Sequence, residues 1–390
     1  MTEPARDRYA TVIVGGGIVG LFTAYHLVRA GAGPILVAER GFLSYGASGR
    51  NGGGVRQQWE TPATARLARE SVDAYRRFGG EFGYNIWFRQ GGYLFLAQTE
   101  AELARLRVVE ATGRALGLPV RIVGPDAIGA IVPALDRSTI LGGSFLASDG
   151  TLFPFPAVWG VYEAVRRLGV EVALGVEIAS IERDAQGRVA GATTGRGARL
   201  RADRVVNAAG GWSGDVSRRA GLTVPNRATR HEILATEPLK PFLDPMVVRS
   251  SDGLYFSQTM RGEIVGGLTV PHPAGTGPGM PSSPAFLARM ARALTGLVPR
   301  LARVGVLRAW SGFYDDTPDG LPVIGEDPRL PGFVHANGLG GHGFMLAPAV
   351  GRRVARAVLG EPSDLDPALF SPARFDGRTR PAAPERLQLG

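Results

Sequence analysis

The sequence contains no cysteine, and this absence excludes several kinds of site at once. Disulfide bonds, thiolate catalysis, cysteine-ligated metals and a cofactor attached through cysteine all need that side chain. Lysine occurs once, at Lys240, so the formal net charge of +9 comes almost entirely from arginine. Because the arginines are scattered rather than clustered, we expect no nucleic-acid-binding surface.

A long uninterrupted apolar run is also missing. Residues 11–28 resemble a signal sequence or a short membrane span, but Gly15–Gly17 and His26 interrupt the stretch, and an equally apolar strand follows it. We therefore expect a cytoplasmic protein without a membrane span. The 390 residues leave room for two domains and a large buried core.

Residues 9–39 form the most informative stretch. Gly15, Gly17 and Gly20 have GxGxxG spacing between an apolar run and a helical pattern, and a second apolar run ends at Glu39. In a strand–turn–helix–strand unit these glycines permit a tight turn, the approach of a pyrophosphate and close helix packing, and the acid can bind ribose hydroxyls. The pattern predicts a dinucleotide site at a helix N-terminus. The alternative is a tight turn in another doubly wound sheet.

Periodicity and turn residues predict the other elements. Helices are expected at 61–82, 99–116, 155–168 and 285–297, and a last helix is expected to start within 337–348 and to run to about 359. Strands are expected at 87–97, 141–147, 204–207 and 333–336. Short alternating segments between His231 and Gly267 indicate antiparallel strands. The stretch 271–284 predicts an exposed loop, and the stretch after 362 predicts an extended or disordered tail.

Motifs spread over nearly the whole chain together carry a family resemblance. They are GGGIVG (15–20), Glu39-Arg40, ASGRNGGGVR (47–56), VVNAAGGWS (205–213), TPDGLPVIG (317–325) and GLGGHGFMLAP (338–348). As a set they resemble the D-amino acid oxidase family of flavoproteins, and within it sarcosine oxidases and the FAD-bearing β subunits of heterotetrameric sarcosine oxidase.

The resemblance implies an α/β fold with a discontinuous, Rossmann-like FAD-binding domain. Residues 1–85, 145–225 and 318–365 would form that domain, and residues 86–144 and 226–317 an α+β substrate domain built on an antiparallel sheet, leaving 366–390 as a tail. The two ends of the chain must then meet, because the first unit holds the ADP half of FAD and the C-terminal loop and helix hold the isoalloxazine.

The same resemblance implies FAD contacts from residues along the whole chain. They are Gly15, Gly17, Ile18, Val19, Gly20, Glu39, Arg40, Ser48, Asn51, Gly52, Val176, Ala208, Gly210, Trp212, Gly338, Leu339, Gly340, Gly341, His342 and Gly343. The positive end of the last helix would stabilise anionic reduced flavin. Two alternatives stay open: Trp212 as core packing, and Gly338–Gly343 as a plain glycine-rich helix start.

Candidate substrate residues also follow from the resemblance. Arg56 matches an arginine that binds the substrate carboxylate, a role that suits a guanidinium because it donates two parallel hydrogen bonds. Tyr255 and Tyr314 fall where the family places pocket aromatics, and His342 could bind cofactor or substrate. The alternatives are a structural arginine, core tyrosines and a structural histidine. Nothing in the sequence around His231 or His272 supports a functional role, and we interpret both as surface or packing residues.

The chain departs from the family pattern at several positions. Gly312 lies near the position at which monomeric sarcosine oxidase carries the cysteine that holds FAD. FAD is therefore expected to be non-covalent in this chain. Met345 replaces the lysine that pairs with the substrate carboxylate, and the lysine that promotes reaction with oxygen has no counterpart. Residues 149–156 contain no histidine, so no covalent FMN is expected. No arginine lies close to Tyr314, which argues against the carboxylate binding of glycine and D-amino acid oxidases.

The leading functional hypothesis is FAD-dependent oxidation of sarcosine or a related secondary N-alkyl amino acid, with peroxide formed from oxygen. The first alternative is an FAD-bearing dehydrogenase subunit that acts on proline-like or other amino acids and passes electrons to a partner. The others are a flavin-binding subunit without turnover and, least favoured, an NAD-dependent dehydrogenase. We expect no metal, since no ligand cluster is evident. The assembly could be a monomer, a dimer or a hetero-oligomer.

Overall fold

The computed structural model describes residues 3–270, 281–376 and 385. Most of the predicted loop at 271–284, including His272, therefore lies outside the described residues. In the described part the helices are α1 (Ile18–Arg29), α2 (Pro62–Phe82), α3 (Glu100–Ala115), α4 (Pro125–Ile131), α5 (Pro154–Arg167), α6 (Ser213–Arg219), α7 (Pro284–Leu297), α8 (Gly343–Leu359) and α9 (Pro367–Phe370). None of them combines the length and apolar character needed to cross a bilayer.

The strands of the described residues form two large sheets and one small one. They are β1 (Arg8–Val14), β2 (Ile35–Glu39), β3 (Gly54–Val55), β4 (Tyr93–Ala97), β5 (Arg121–Val123), β6 (Gly142–Leu146), β7 (Gly150–Thr151), β8 (Glu171–Leu174), β9 (Ile178–Arg183), β10 (Val189–Thr194), β11 (Arg199–Asn207), β12 (Arg227–Pro238), β13 (Met246–Arg249), β14 (Leu254–Gln258), β15 (Glu263–Leu268), β16 (Val306–Asp316), β17 (Val323–Glu326) and β18 (Phe333–Asn337).

The first sheet is parallel at its centre. Its strands run in the order β17-β18-β11-β1-β2-β8, and β9 and β10 extend it from β11. Neighbours from β18 to β8 are parallel, whereas β17, β9 and β10 pair antiparallel. Val12 and Ile13 of the central strand β1 are fully buried, as expected for a strand covered on both faces.

The second sheet runs in the order β16-β12-β15-β14-β13-β4-β6-β5. All its pairs are antiparallel except β13 with β4. The predicted class, a Rossmann-like sheet combined with a sheet that is mainly antiparallel, is therefore confirmed. The division of the chain into domains stays a prediction, and β6, which ends at Leu146, crosses its proposed boundary at residue 145.

Two helices from opposite ends of the sequence pack closely against each other. A Cβ built on Gly351 of α8 would lie 2.7 Å from the Cβ of Phe22 and 2.8 Å from the backbone nitrogen of Thr23, both in α1. A residue without a side chain permits this approach. Tyr75 of α2 adds a 2.6 Å hydrogen bond to the carbonyl oxygen of Phe344 at the start of α8. The packing brings the N-terminal ends of α1 and α8 to one cleft.

The prediction of an extended or disordered tail is wrong for residues 367–375. Helix α9 is followed by a 3-10 turn, and Phe370 is buried in the core that contains α1 and α8. Arg374 donates hydrogen bonds of 2.8 and 3.1 Å to the carboxylate of Asp319. These two anchors order a segment whose composition alone suggests disorder. Residues 377–384 and 386–390 lie outside the described part.

Candidate functional site

A long cleft lies at the carboxyl ends of the parallel strands. Its lining includes residues that follow β1, β2, β8, β11 and β18. The cleft contains about 1700 Å³ free of protein atoms, part of it open to solvent. The carboxyl ends of the strands are also where open α/β sheets bind ligands.

One end of the cleft is built by the glycine turn after β1. Gly15 has a φ of +113°, and a Cβ on Gly20 would lie 2.1 Å from the carbonyl oxygen of Gly15, so both positions favour glycine. The Ser48 hydroxyl accepts a 2.9 Å hydrogen bond from the N–H of Ile18 in the first turn of α1. The N-cap residue of α1, Gly17, has no side chain that could cap the helix. The N-terminus of α1, which lines the cleft, can therefore serve as an anion site.

Glu39 lies beside this turn, at the end of β2. Its carboxylate accepts hydrogen bonds from the N–H groups of Gly16 at 2.9 Å and Gly41 at 2.7 Å. These bonds hold the side chain at the cleft wall, where it also lines the cavity. The next residue, Arg40, also lines the cleft, and its guanidinium lies 4.3 Å from the ring centre of Trp212, which stacks on Tyr45.

The structure brings most of the predicted cofactor residues together at this one cleft. Those lining it are Gly15, Gly17, Ile18, Val19, Glu39, Arg40, Ser48, Asn51, Gly52, Val176, Ala208, Gly210, Trp212, Leu339, Gly340, Gly341 and Gly343. The remaining three, Gly20, Gly338 and His342, are not among its lining residues. The roles of all these residues as FAD contacts, inside and outside the lining, stay predictions.

The other end of the cleft is aromatic. Tyr255 and Tyr314 line it, as predicted, and their hydroxyls share a hydrogen bond. Burial raises the pKa of both hydroxyls, so both stay protonated near neutral pH. His231 also lines the cleft, and its ring is nearly parallel to those of Tyr314 and Tyr255, with centres 4.5 and 5.7 Å away.

His231, interpreted from the sequence as a surface or packing residue, does pack against two rings, and it also forms part of the wall of the cleft. In the ladder of β12 with β16, His231 lies opposite Gly312, which also lines the cleft. A Cβ built on Gly312 would lie 3.3 Å from the Cβ of Arg50, so Arg50 occupies the place of a side chain there. The sequence carries this signal only once the register of the two strands is known.

A buried acid supports the C-terminal glycine loop, which comprises Gly338–Gly343. The Asp315 carboxylate accepts hydrogen bonds from the N–H of Gly338 at 2.6 Å and from the amide of Asn226 at 3.1 Å. Burial raises the pKa of Asp315 to about 7. The loop fits tightly, since a Cβ on Gly341 would lie 2.5 Å from Cζ of Tyr314. Sequence reasoning missed Asp315, which precedes the TPDG motif by two residues.

Arg56 and His342 form a buried pair away from the lining of the cleft. The side chain of Arg56 is fully buried, and its Nη2 lies 3.1 Å from Nε2 of His342. Its Nη1 donates to the carbonyl oxygen of Gln58. Because neither residue is among those lining the cleft, this placement does not support direct contact between Arg56 and a substrate there. Met345 does line the cleft, as expected of the position that replaces the family lysine.

Comparison with known proteins agrees with this geometry. The family model described as "FAD dependent oxidoreductase" matches residues 10–357. The chain belongs to this family. Sarcosine oxidase subunit beta from Rhodobacter capsulatus is 28% identical over 91% of this chain and 86% of its own. Mitochondrial dimethylglycine dehydrogenase from Mus musculus is 26% identical over 93% of this chain, which spans 44% of that protein.

Solved structures give the same result. L-proline dehydrogenase from P. horikoshii superposes with a TM-score of 0.89 at 30% identity, covering 96% of this chain and all of that one. Glycine oxidase from Geobacillus kaustophilus superposes with a TM-score of 0.86 at 25% identity, covering 95% of this chain and all of the other. The resemblance inferred from the sequence motifs is therefore confirmed at the level of family, fold and FAD dependence.

The residues of the cleft fit the cofactor of the family. Gly15, Gly17 and Gly341 line the cleft at positions where a Cβ would press against Ala208, Ser48 and Tyr314, so these walls are built from close-fitting glycines. The N-terminal turns of α1 and α8 both reach the lining. When bound, FAD supplies the acceptor for a hydride from carbon. Most of the predicted cofactor residues and both predicted pocket tyrosines then share one continuous space in this FAD-dependent oxidoreductase.

Proposed function

We propose that the protein oxidises sarcosine or a related secondary N-alkyl amino acid at the carbon next to the amine, using FAD held non-covalently. The imine would hydrolyse to an aldehyde plus glycine, with peroxide formed if oxygen is the acceptor. The observation that carries the proposal is the single cleft running from the glycine turn after β1 to the aromatic end at Tyr255, Tyr314 and His231.

The chain's own residues have three tasks in this reaction. The stacked rings of His231, Tyr255 and Tyr314 would form one wall against which a small alkylamine packs, which suits aromatic faces. His231 would accept a proton from the substrate ammonium, because the amine must be neutral before its neighbouring carbon loses hydride. The N-terminus of α8 would stabilise the negative charge of the reduced cofactor.

The relatives support an amine substrate of this class. One relative is named for sarcosine and another for dimethylglycine, and one of the superposing structures is named for L-proline. All three of these compounds have an alkylated nitrogen. Gly312 supports non-covalent FAD, since glycine has no side chain that could bond to a flavin. The word "subunit" in the first of these names supports a hetero-oligomer as one possible assembly.

A dehydrogenase that passes electrons to a partner is the second candidate. The missing counterpart of the family lysine that promotes reaction with oxygen favours it, because Lys240, the only lysine of the sequence, does not match that segment. The similarity to L-proline dehydrogenase points the same way.

Anaerobic titration of the purified FAD-bound protein with sarcosine, proline and glycine tests both candidates. We expect sarcosine to bleach the flavin absorbance and acid precipitation to release all flavin into the supernatant. Oxygen uptake and peroxide formation in air would identify the oxidase, and bleaching without peroxide the dehydrogenase. A flavin that none of these amines bleaches would refute the proposal.

A further inference from the structure

A buried cation lies directly behind the glycine loop of the cleft. The guanidinium of Arg56 is 3.9 Å from the ring centre of Trp59, and the ring of His342 meets the same indole edge-on at 4.7 Å. Arg56 is 0% exposed and His342 is 4% exposed. Together with the 3.1 Å contact between them, this packing leaves each side chain one well-defined position.

The contact determines the protonation of the imidazole. Every nitrogen of a guanidinium donates and none accepts, so Nε2 of His342 must accept the hydrogen bond from Arg56. The ring proton is then on Nδ1, and the imidazole is neutral. Burial and the charge of Arg56 both lower the pKa of His342, in agreement with this assignment.

His342 is part of the backbone turn that starts α8. Its N–H donates to the carbonyl oxygen of Leu339 at 2.9 Å, and its carbonyl oxygen accepts from the N–H of Leu346 at 3.1 Å. The neighbouring residues Gly341 and Gly343 line the cleft. A constraint on the His342 side chain is therefore a constraint on the backbone that faces the cofactor.

We propose that Arg56 is a positioning residue that acts through His342. By holding the imidazole neutral and fixed, it keeps the glycine loop and the α8 N-terminus in place against FAD. Its positive charge, buried behind the loop, adds to the helix dipole in favouring anionic forms of the flavin. The inference rests on FAD binding in the cleft and not on which amine is oxidised.

Sulfite binding and the flavin reduction potential test this role without any substrate, since both report how well the site stabilises negative charge on the flavin. Arg56→Met keeps most of the buried volume and removes the charge and the donor. We expect Arg56→Met to bind sulfite about tenfold more weakly. We also expect its flavin reduction potential to be lower by about 30 mV, which corresponds to a tenfold change in the reduction equilibrium of a two-electron couple. Arg374→Met is the matched control: it removes another buried guanidinium, one outside the cleft lining, and should leave both values unchanged.

Variants of the partner separate positioning from a merely structural effect. His342→Gln retains a neutral acceptor for Arg56 and should preserve sulfite affinity to within about threefold, whereas His342→Leu should weaken it about as much as Arg56→Met does. If Arg56→Met does not fold or loses FAD, this pair still decides the question. In the double variant Arg56→Met/His342→Leu the losses should not add, since the two residues act as one unit.

Two results would overturn the inference. Unchanged sulfite affinity and potential in Arg56→Met, with a large rise in KM for the amino acid, would instead show direct binding of the substrate carboxylate. Equal behaviour of His342→Gln and His342→Leu would show that the hydrogen bond has no role. Failure of every amine to bleach the wild-type flavin would refute the proposed substrate and leave these sulfite results interpretable.

Discussion

Replacing Asp315 with asparagine should change how the stability of the protein depends on pH. The carboxyl group is 4% exposed and lies under the glycine loop. Burial raises its pKa to about 7, and the hydrogen bonds from Gly338 and Asn226 offset only part of that rise. Ionised Asp315 therefore destabilises the folded protein, although its hydrogen bonds hold this loop.

The direction follows from proton binding. In the unfolded chain the carboxyl ionises near pH 3.8, whereas in the folded chain it keeps its proton up to about pH 7. Its contribution to stability is thus fully present below pH 3.8 and is lost as the pH rises through 7. At 1.36 kcal/mol per pKa unit, the loss is about 4 kcal/mol in total and about 2–3 kcal/mol between pH 5 and pH 8.

Urea unfolding of wild type and Asp315→Asn at a fixed excess of FAD measures this loss. The free energy of unfolding of the variant minus that of wild type should rise by about 2–3 kcal/mol from pH 5 to pH 8, because asparagine does not titrate. Asp149, a second buried acid whose pKa is raised to about 7, is present in both proteins and cancels. Curves that stay parallel across this pH range would refute the reasoning.

Three further substitutions test the cleft and the helix packing. Gly341→Ala should lower the flavin-to-protein absorbance ratio, because its Cβ would lie 2.5 Å from Tyr314; a full complement of FAD with an unchanged KM would contradict this. His231→Leu should slow anaerobic flavin reduction by sarcosine at least about 100-fold in stopped-flow measurements at unchanged FAD content, and an unaltered rate would remove His231 from the chemistry. Gly351→Ala should destabilise the fold by about 1–3 kcal/mol through overpacking against α1. In Gly296→Ala, the control, the added methyl meets no atom within 4 Å and the change should be neutral or stabilising; equal shifts in Tm would argue against the tight crossing.

Features that depend on local sequence were predicted well. The strand–turn–helix start, the helix after Thr61 and the strands at the ends of the chain all form close to their expected bounds. Turn chemistry, capping and apolar periodicity act over a few residues, and such signals can be read directly from the sequence. Most predicted FAD residues reach the cleft for the same reason, because they follow the ends of predicted strands.

Features that depend on tertiary placement were not predictable. The direction of the Arg56 side chain is set by Trp59, Phe95 and His342, which come from three separate parts of the chain. The place of His231 depends on the register of β12 with β16, and no short-range pattern specifies a register between strands so far apart in sequence.

The crossing of α1 with α8 has a consequence for biosynthesis. The N-terminus of α1, at Ile18, is translated long before that of α8, which begins at Gly343, and both line the cleft. A nascent chain therefore cannot present both helix ends to the flavin until α8 has left the ribosome. Fragments truncated before α8 should accumulate as colourless protein, and the yellow colour should report that synthesis has passed α8.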